Sequence, residues 1–250
     1  NDAFRESDLV RRLFLAICNR PLAAGAALRQ ADHAGLLGRY LPEFNAVKNV
    51  IRYTDFHHYP VDEHTLRALE ALAALPEMEG VVPMCLRRSL EYLSDPYILV
   101  LAILFHDLGK AEGDVHVEAG VRLAWDVCRR IGLSEEDTER IAFLVEHHLL
   151  MTSISQYRDT DDEHIVRQFA DTMRTEDRLR ALFLLSYADM AAVGPNVWND
   201  WKGTLLMKLY LKTEKMLLGR AESAGEAFWL STKAEAVREC LPEWLQEEVE

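Results

Sequence analysis

What most constrains this chain is the period of its apolar residues. They recur at helical spacing along almost all of its 250 residues, and no segment alternates apolar and polar positions between hairpin turn signals. An all-α protein is predicted. Residues 9–18 and 22–34 form two such segments, the second opening behind Pro21 and stopping at Gly35. A helix should start at Val61, where Pro60 suits a first-turn position and Asp62 and Glu63 favour the positive end of the macrodipole. Another should run from Asp95-Pro96 through Phe105 and break at Gly109; it is apolar on every side, so it is the central one. Residues 111–115 read as a loop before a helix over 116–131 closed by Gly132. Ser134 and Asp137 then resemble a capping box for a helix over 135–150. Beyond them come a loop at 155–162, helices over 163–173 and 176–193, a stop at Gly194-Pro195, and a helix over 198–218. Residues 221–250 suggest a terminal helical pair broken at Pro242. With no repeat, low-complexity tract or linker, one domain over 1–250 is expected: N-terminal helices over 1–45, a core over 46–218 and C-terminal helices over 219–250.

Composition narrows the function classes. A chain with 49% hydrophobic and 28% charged residues can fold unaided. Its 28 Lys and Arg against 41 Asp and Glu give a net charge of −13, which repels phosphate backbones and anionic lipid, so polymeric nucleic acid is not expected as a partner. Cys18, Cys85, Cys128 and Cys240 are scattered without a CxxC pair, as free thiols of a reducing compartment would be, and a cytoplasmic location is expected. The longest apolar run, 97–105, falls far short of the ~20 residues that span a bilayer, and no charged-then-apolar leader opens the sequence, so no membrane segment is expected. Asn1 in place of Met suits a processed chain or a piece of a longer one. Oligomeric state is not legible at this level.

The chemistry is carried by histidines. Of nine, five (His64, His106, His116, His147 and His148) lie among carboxylates at helix ends or in loops, whereas His33 and His164 read as surface residues. Imidazole and carboxylate together suit divalent Zn, Mn, Fe or Mg, and facing helices of a bundle are a recurrent way to converge them. His106-Asp107 ends a strongly apolar helix, and buried charges need partners or a metal. A second reading stays open, in which the pair merely terminates the helix against its dipole. Trp198 and Trp201, three apart, read first as core and second as a stacking surface for a nucleotide.

The segments HHYPVDEHTLRAL (57–69), FHDLGKAEGDVH (105–116), LVEHHLLM (144–151) and ADMAAVGPNVWNDWKGTLLMKLY (188–210) resemble the HD superfamily of metal-dependent phosphohydrolases. In particular they look like the uridylyl-removing HD domain of the PII uridylyltransferase family, and GLLGRYLPEF (35–44) is similar to the segment before that domain. The resemblance covers about 22–218 and implies an HD-domain helical bundle with extra N- and C-terminal helices. It implies a divalent metal, one or two ions, with His64, His106, Asp107 and Asp189 at one ion, Asp107 bridging, and His116 with His147 or His148 at the other. Adjacent helical residues point about 100° apart, so one of that pair serves, and the HLLM frame favours His148. Asp107 and Lys110 would be catalytic, and His57, Lys110 and Lys202 would touch substrate. Asp62, Glu63 and Asp114 are candidates to orient imidazoles. The activity implied is hydrolysis of the phosphodiester joining uridylate to a tyrosine of a PII-type signalling protein, releasing UMP in nitrogen regulation. A phosphohydrolase of small nucleotides and a non-catalytic helical sensor module remain as alternatives. Neither a nucleotidyltransferase nor an ACT pattern is legible, and Arg52, Pro60 and Asp114 depart from the family pattern.

Overall fold

Pro96 opens a helix whose residues from Ile98 to Phe105 are all buried, and its apolarity on every side leaves no face for water. It is the axis around which the rest packs. The computed structural model describes residues 2–51, 59–112, 116–195 and 197–222, among which there are fourteen α-helices and no strand. These are α1 (Asp2–Arg5), α2 (Asp8–Cys18), α3 (Pro21–His33), α4 (Leu37–Tyr40), α5 (Pro42–Ala46), α6 (Val61–Ala74), α7 (Val81–Glu91), α8 (Pro96–Phe105), α9 (His116–Arg130), α10 (Glu135–His147), α11 (Leu150–Tyr157), α12 (Glu163–Met173), α13 (Glu176–Val193) and α14 (Asp200–Glu222). Short 3-10 turns occupy Leu75–Glu77 and Leu108–Glu112. The expected terminal helical pair lies outside the described residues from 223 onward.

The central α8 packs on α2, α3, α6, α9, α10 and α13, so it faces several helices at once. Prolines start α3 and α8, where a missing N–H costs nothing, and Gly35 (φ 69°) and Gly132 (φ 72°) follow α3 and α9 in the left-handed conformation that ends a helix. The Ser134 hydroxyl accepts from the Asp137 amide, as the capping reading requires.

Four details differ from the sequence reading. The helix α8 stops at Phe105, so His106-Asp107 sit in a turn that passes into the 3-10 segment, not within a helix reaching Gly109. Leu150 opens α11 instead of closing α10, and α11 carries residues 155–157, which were expected in a loop. The helix α7 was not anticipated, because Pro83 and a capless Gly80 conceal its start. Finally, α14 begins at Asp200, so Trp198 precedes it and the two tryptophans share no helix face. Trp198 packs edge-on against Tyr187 at 4.9 Å, whereas Trp201 is 63% exposed. Trp201 is therefore not core, and Trp201→Ala should change unfolding free energy by no more than about 0.5 kcal/mol in a denaturant titration. No helix among the described residues is long and apolar enough to cross a membrane.

Candidate metal centre

Three helices deliver the functional side chains. On α6, the Pro60 carbonyl accepts from the His64 amide at 2.8 Å, which fixes His64 in the first turn, facing the core. The end of α8 supplies His106 and Asp107, and α13 supplies Asp189 near its C-terminal end. Tyr187, two residues earlier on α13, donates its hydroxyl to the Ala71 carbonyl of α6 at 3.1 Å and ties the two helices together.

The donors converge closely. His64 Nε2 lies 3.3 Å from His106 Nε2, 3.0 Å from Asp189 Oδ1 and 3.7 Å from Asp107 Oδ2. His106 Nε2 lies 3.3 Å from Asp107 Oδ2 and 3.9 Å from Asp189 Oδ1. His64, His106 and Asp107 are at most 2% exposed and Asp189 is 14% exposed at its side chain. Ligands held about 2.0–2.2 Å from one ion stand roughly 3–3.6 Å from their neighbours, close to the separations found. His148, the capping residue after α10, brings its ring to 5.3 Å from that of His106, on centroids, and is itself buried.

Tautomers strengthen the match. The Ile103 carbonyl accepts from His106 Nδ1 at 2.7 Å and the Val145 carbonyl from His148 Nδ1 at 2.7 Å, so in each neutral ring the Nε2 lone pair is left for another partner. Asp107 Oδ1 is buried with no hydrogen-bond partner among the described residues. Lone pairs facing one another in a dry interior are costly unless a cation stands between them, and this donor set fits a divalent ion. Burial works against a charged His106, yet Asp107 and Asp189 outweigh it and raise its pKa. For Asp107, burial favours the neutral acid but His106, Lys110 and His64 hold it well below the ordinary carboxylate range, and His64 with His106 depresses Asp189 similarly. Burial, aided by His106, lowers the pKa of His148, keeping that ring neutral and able to ligate.

The other site candidates fall into place unevenly. Lys110 reaches Asp107 Oδ2 at 2.5 Å and is 15% exposed. His147 does not join the cluster: it stacks on Phe143 and its Nδ1 donates to the Phe143 carbonyl. Lys202 stands in the first turn of α14, half-buried, with no contact to the four central residues found among the described residues. His116 is the first residue of α9, but its side chain is not among those described, and His57, His58 and Asp114 lie outside the described residues. Among the described residues, Asp62 and Glu63 hold no imidazole. Asp62 accepts from the Asn49 amide, while Glu63 pairs with Arg29 at 2.7 Å and with Arg67. Arg29 also meets Glu70, so it clamps α3 onto the helix that carries His64, a role no local motif announces.

Residues 61–189, about half of the chain, match the family model of the HD domain. Such domains are typically metal-dependent hydrolases. The match opens at the first residue of α6, three before His64, and closes on Asp189, so it spans the four converging residues. The chain belongs to the HD domain family.

Proposed function

We propose that this chain is a metal-dependent phosphodiesterase of the uridylyl-removing type, hydrolysing the bond between uridylate and a tyrosine of a PII-type protein in the cytoplasm and releasing UMP. The observation that carries the hydrolytic reading is the buried meeting of His64, His106, Asp107 and Asp189. Support for the substrate comes from the four motif segments and from the net charge of −13, which disfavours a nucleic-acid polymer. Burial also pushes up the pKa values of the Cys18 and Cys128 thiols, in keeping with inert thiols of a reducing compartment.

His64, His106, Asp107 and Asp189 would hold the ion, and His148 stands beside them for a second one. A bound divalent ion supplies Lewis acidity and an acidified water at neutral pH. The chain's own part is to fix the donors. His106 is locked by the Ile103 carbonyl, and Asp107 is kept ionised by Lys110 and the imidazoles beside it. The apolar end of α8 keeps bulk water away, and Lys110 brings a point charge for a phosphoryl oxygen.

The test incubates the whole chain with uridylylated PII-type protein and separately with free nucleotides, with Mn²⁺ or with chelator. UMP should leave the protein substrate in the Mn²⁺ arm, and chelation should reduce the rate at least about a hundredfold, the scale expected when a metal carries the charge stabilisation. Phosphate-bond loss from nucleotides alone would favour the small-nucleotide hydrolase. Activity on neither pool, nor on a generic aryl phosphodiester, would leave a non-catalytic module.

A further inference from the structure

None of the residues that converge at the metal centre lines the open groove of about 350 Å³ between α11 and α12. Its walls come from two pairs of apolar side chains, Leu150 with Ile154 on α11 and Ile165 with Phe169 on α12, and a spacing of four puts each pair on one helix face. Phe169 is buried and the other three are half-buried, so an apolar floor lies beneath walls that meet water. The polar groups at the edge are unequally engaged. The Gln168 amide donates to His164 Nε2 at 3.0 Å, and the Thr172 hydroxyl donates to the Gln168 carbonyl at 3.0 Å. Arg158 also lines the groove, yet its guanidinium has no hydrogen bond or ion pair to any described residue. The acids of the neighbouring loop do have partners: Asp159 accepts from the Asp161 amide, Asp161 lies between Lys208 and Lys212, Asp162 accepts from the His164 amide and Glu163 pairs with Arg167.

We propose that this groove binds a free, small amphiphilic monocarboxylate, its apolar body held between α11 and α12 and its carboxylate on Arg158. The volume falls at the lower end of the ~300–1,000 Å³ that small-molecule sites occupy, so a short hydrocarbon chain or a single ring fills it. Apolar walls reward the removal of such a body from water, and an uncommitted guanidinium offers the two parallel N–H donors that a carboxylate accepts. Neither part suffices alone: a bare anion leaves the walls wet, and a neutral hydrocarbon leaves the arginine without a counter-charge. One negative charge matches the one cation, and the net charge of −13 disfavours more highly charged anions. Such a ligand is neither a metal nor a phosphodiester, so the site goes beyond the hydrolytic reading and stands independently of it.

The test titrates octanoate into the full chain by isothermal calorimetry, with octanol and acetate as probes that each lack one half of the ligand. Octanoate should bind saturably at one site. Octanol should bind at least about tenfold more weakly, the scale of a charge-assisted hydrogen bond, and acetate weaker again for want of apolar burial. Arg158→Met, at an exposed position where the fold tolerates change, should weaken octanoate at least about tenfold and alter octanol by no more than about threefold. Ile154→Ala should weaken octanoate and octanol alike, by at least about threefold, because part of the wall is gone. No saturable octanoate binding, octanol or acetate binding as tightly as octanoate, or wild-type octanoate affinity in Arg158→Met overturns the proposal. Sedimentation of the same samples separates the other occupant: a dimer that Ile154→Ala dissociates, in a chain that binds no octanoate, would make the groove an interface between copies and would equally overturn it.

Discussion

His106→Ala and Asp107→Ala should each lower metal-dependent turnover at least about a thousandfold and abolish the rise in melting temperature that Mn²⁺ gives the wild-type chain. The second readout needs no substrate. A ligand at a thousand times its Kd stabilises the folded state by about 4 kcal/mol, and in a chain of this size each kcal/mol moves the midpoint by roughly 2–4 °C. A wild-type shift on the order of 10 °C is therefore expected, and His164→Ala, on the exposed surface, should retain it. Protons compete for the same donors. The raised pKa of His106 means that its protonated form stabilises the metal-free protein fully below the unfolded pKa, and that this stabilisation is lost as pH rises through the folded value. Metal binding runs the other way, because the ion needs the deprotonated ring. The Mn²⁺-induced shift should consequently be larger at pH 8 than at pH 6. A shift that survives in both alanine variants would remove these residues from the centre.

The helical plan was legible because the chain marks its own boundaries. Pro21, Pro60 and Pro96 stand at helix starts, and Gly35 and Gly132 supply positive φ after α3 and α9. Where such marks are missing the reading slipped. The break between α10 and α11 falls at His148-Leu149, which carry no breaker, and the helix α7 starts behind a glycine with no capping side chain. The metal centre was legible only in its parts. Local sequence shows that His106-Asp107 ends an apolar helix, but the 3.0 Å approach of Asp189 to His64 joins residues 125 positions apart, and only the family resemblance anticipated it. Tyr187 and Arg29 stayed hidden for the same reason: each contributes through a partner on another helix, Ala71 for one and Glu63 with Glu70 for the other. Asp62 and Glu63 looked like orienting acids from their place beside His64, yet helical neighbours point in different directions and found their own partners outside the centre.

Gly25 carries the largest purely structural prediction. It lies mid-helix on α3, where glycine ordinarily costs up to ~1 kcal/mol relative to alanine, so propensity alone would have Gly25→Ala stabilise the protein. The packing says the opposite. A Cβ at this position would come within 2.7 Å of the Glu70 amide nitrogen, 2.8 Å of the Leu69 carbonyl carbon and 2.9 Å of the Glu70 Cα, all backbone atoms of α6 that no rotamer change can move aside. Overpacking of this kind costs roughly 1–3 kcal/mol for a small group and more for a branched one, which outweighs the propensity gain. Gly25→Ala should lower unfolding free energy by about 1–2 kcal/mol and Gly25→Val by about 3 kcal/mol or more, with the denaturant slope unchanged. The consequence reaches the metal centre, because the helix forced outward is the one that positions His64, and Arg29 holds that helix from the same side through Glu63 and Glu70. Any Gly25→Ala chain that remains folded should bind Mn²⁺ more weakly than wild type, by about tenfold, the scale on which misplaced supporting groups loosen metal sites. A Gly25→Ala protein more stable than wild type would mean that α3 and α6 do not touch at this point, and the placement of His64 would then need another cause.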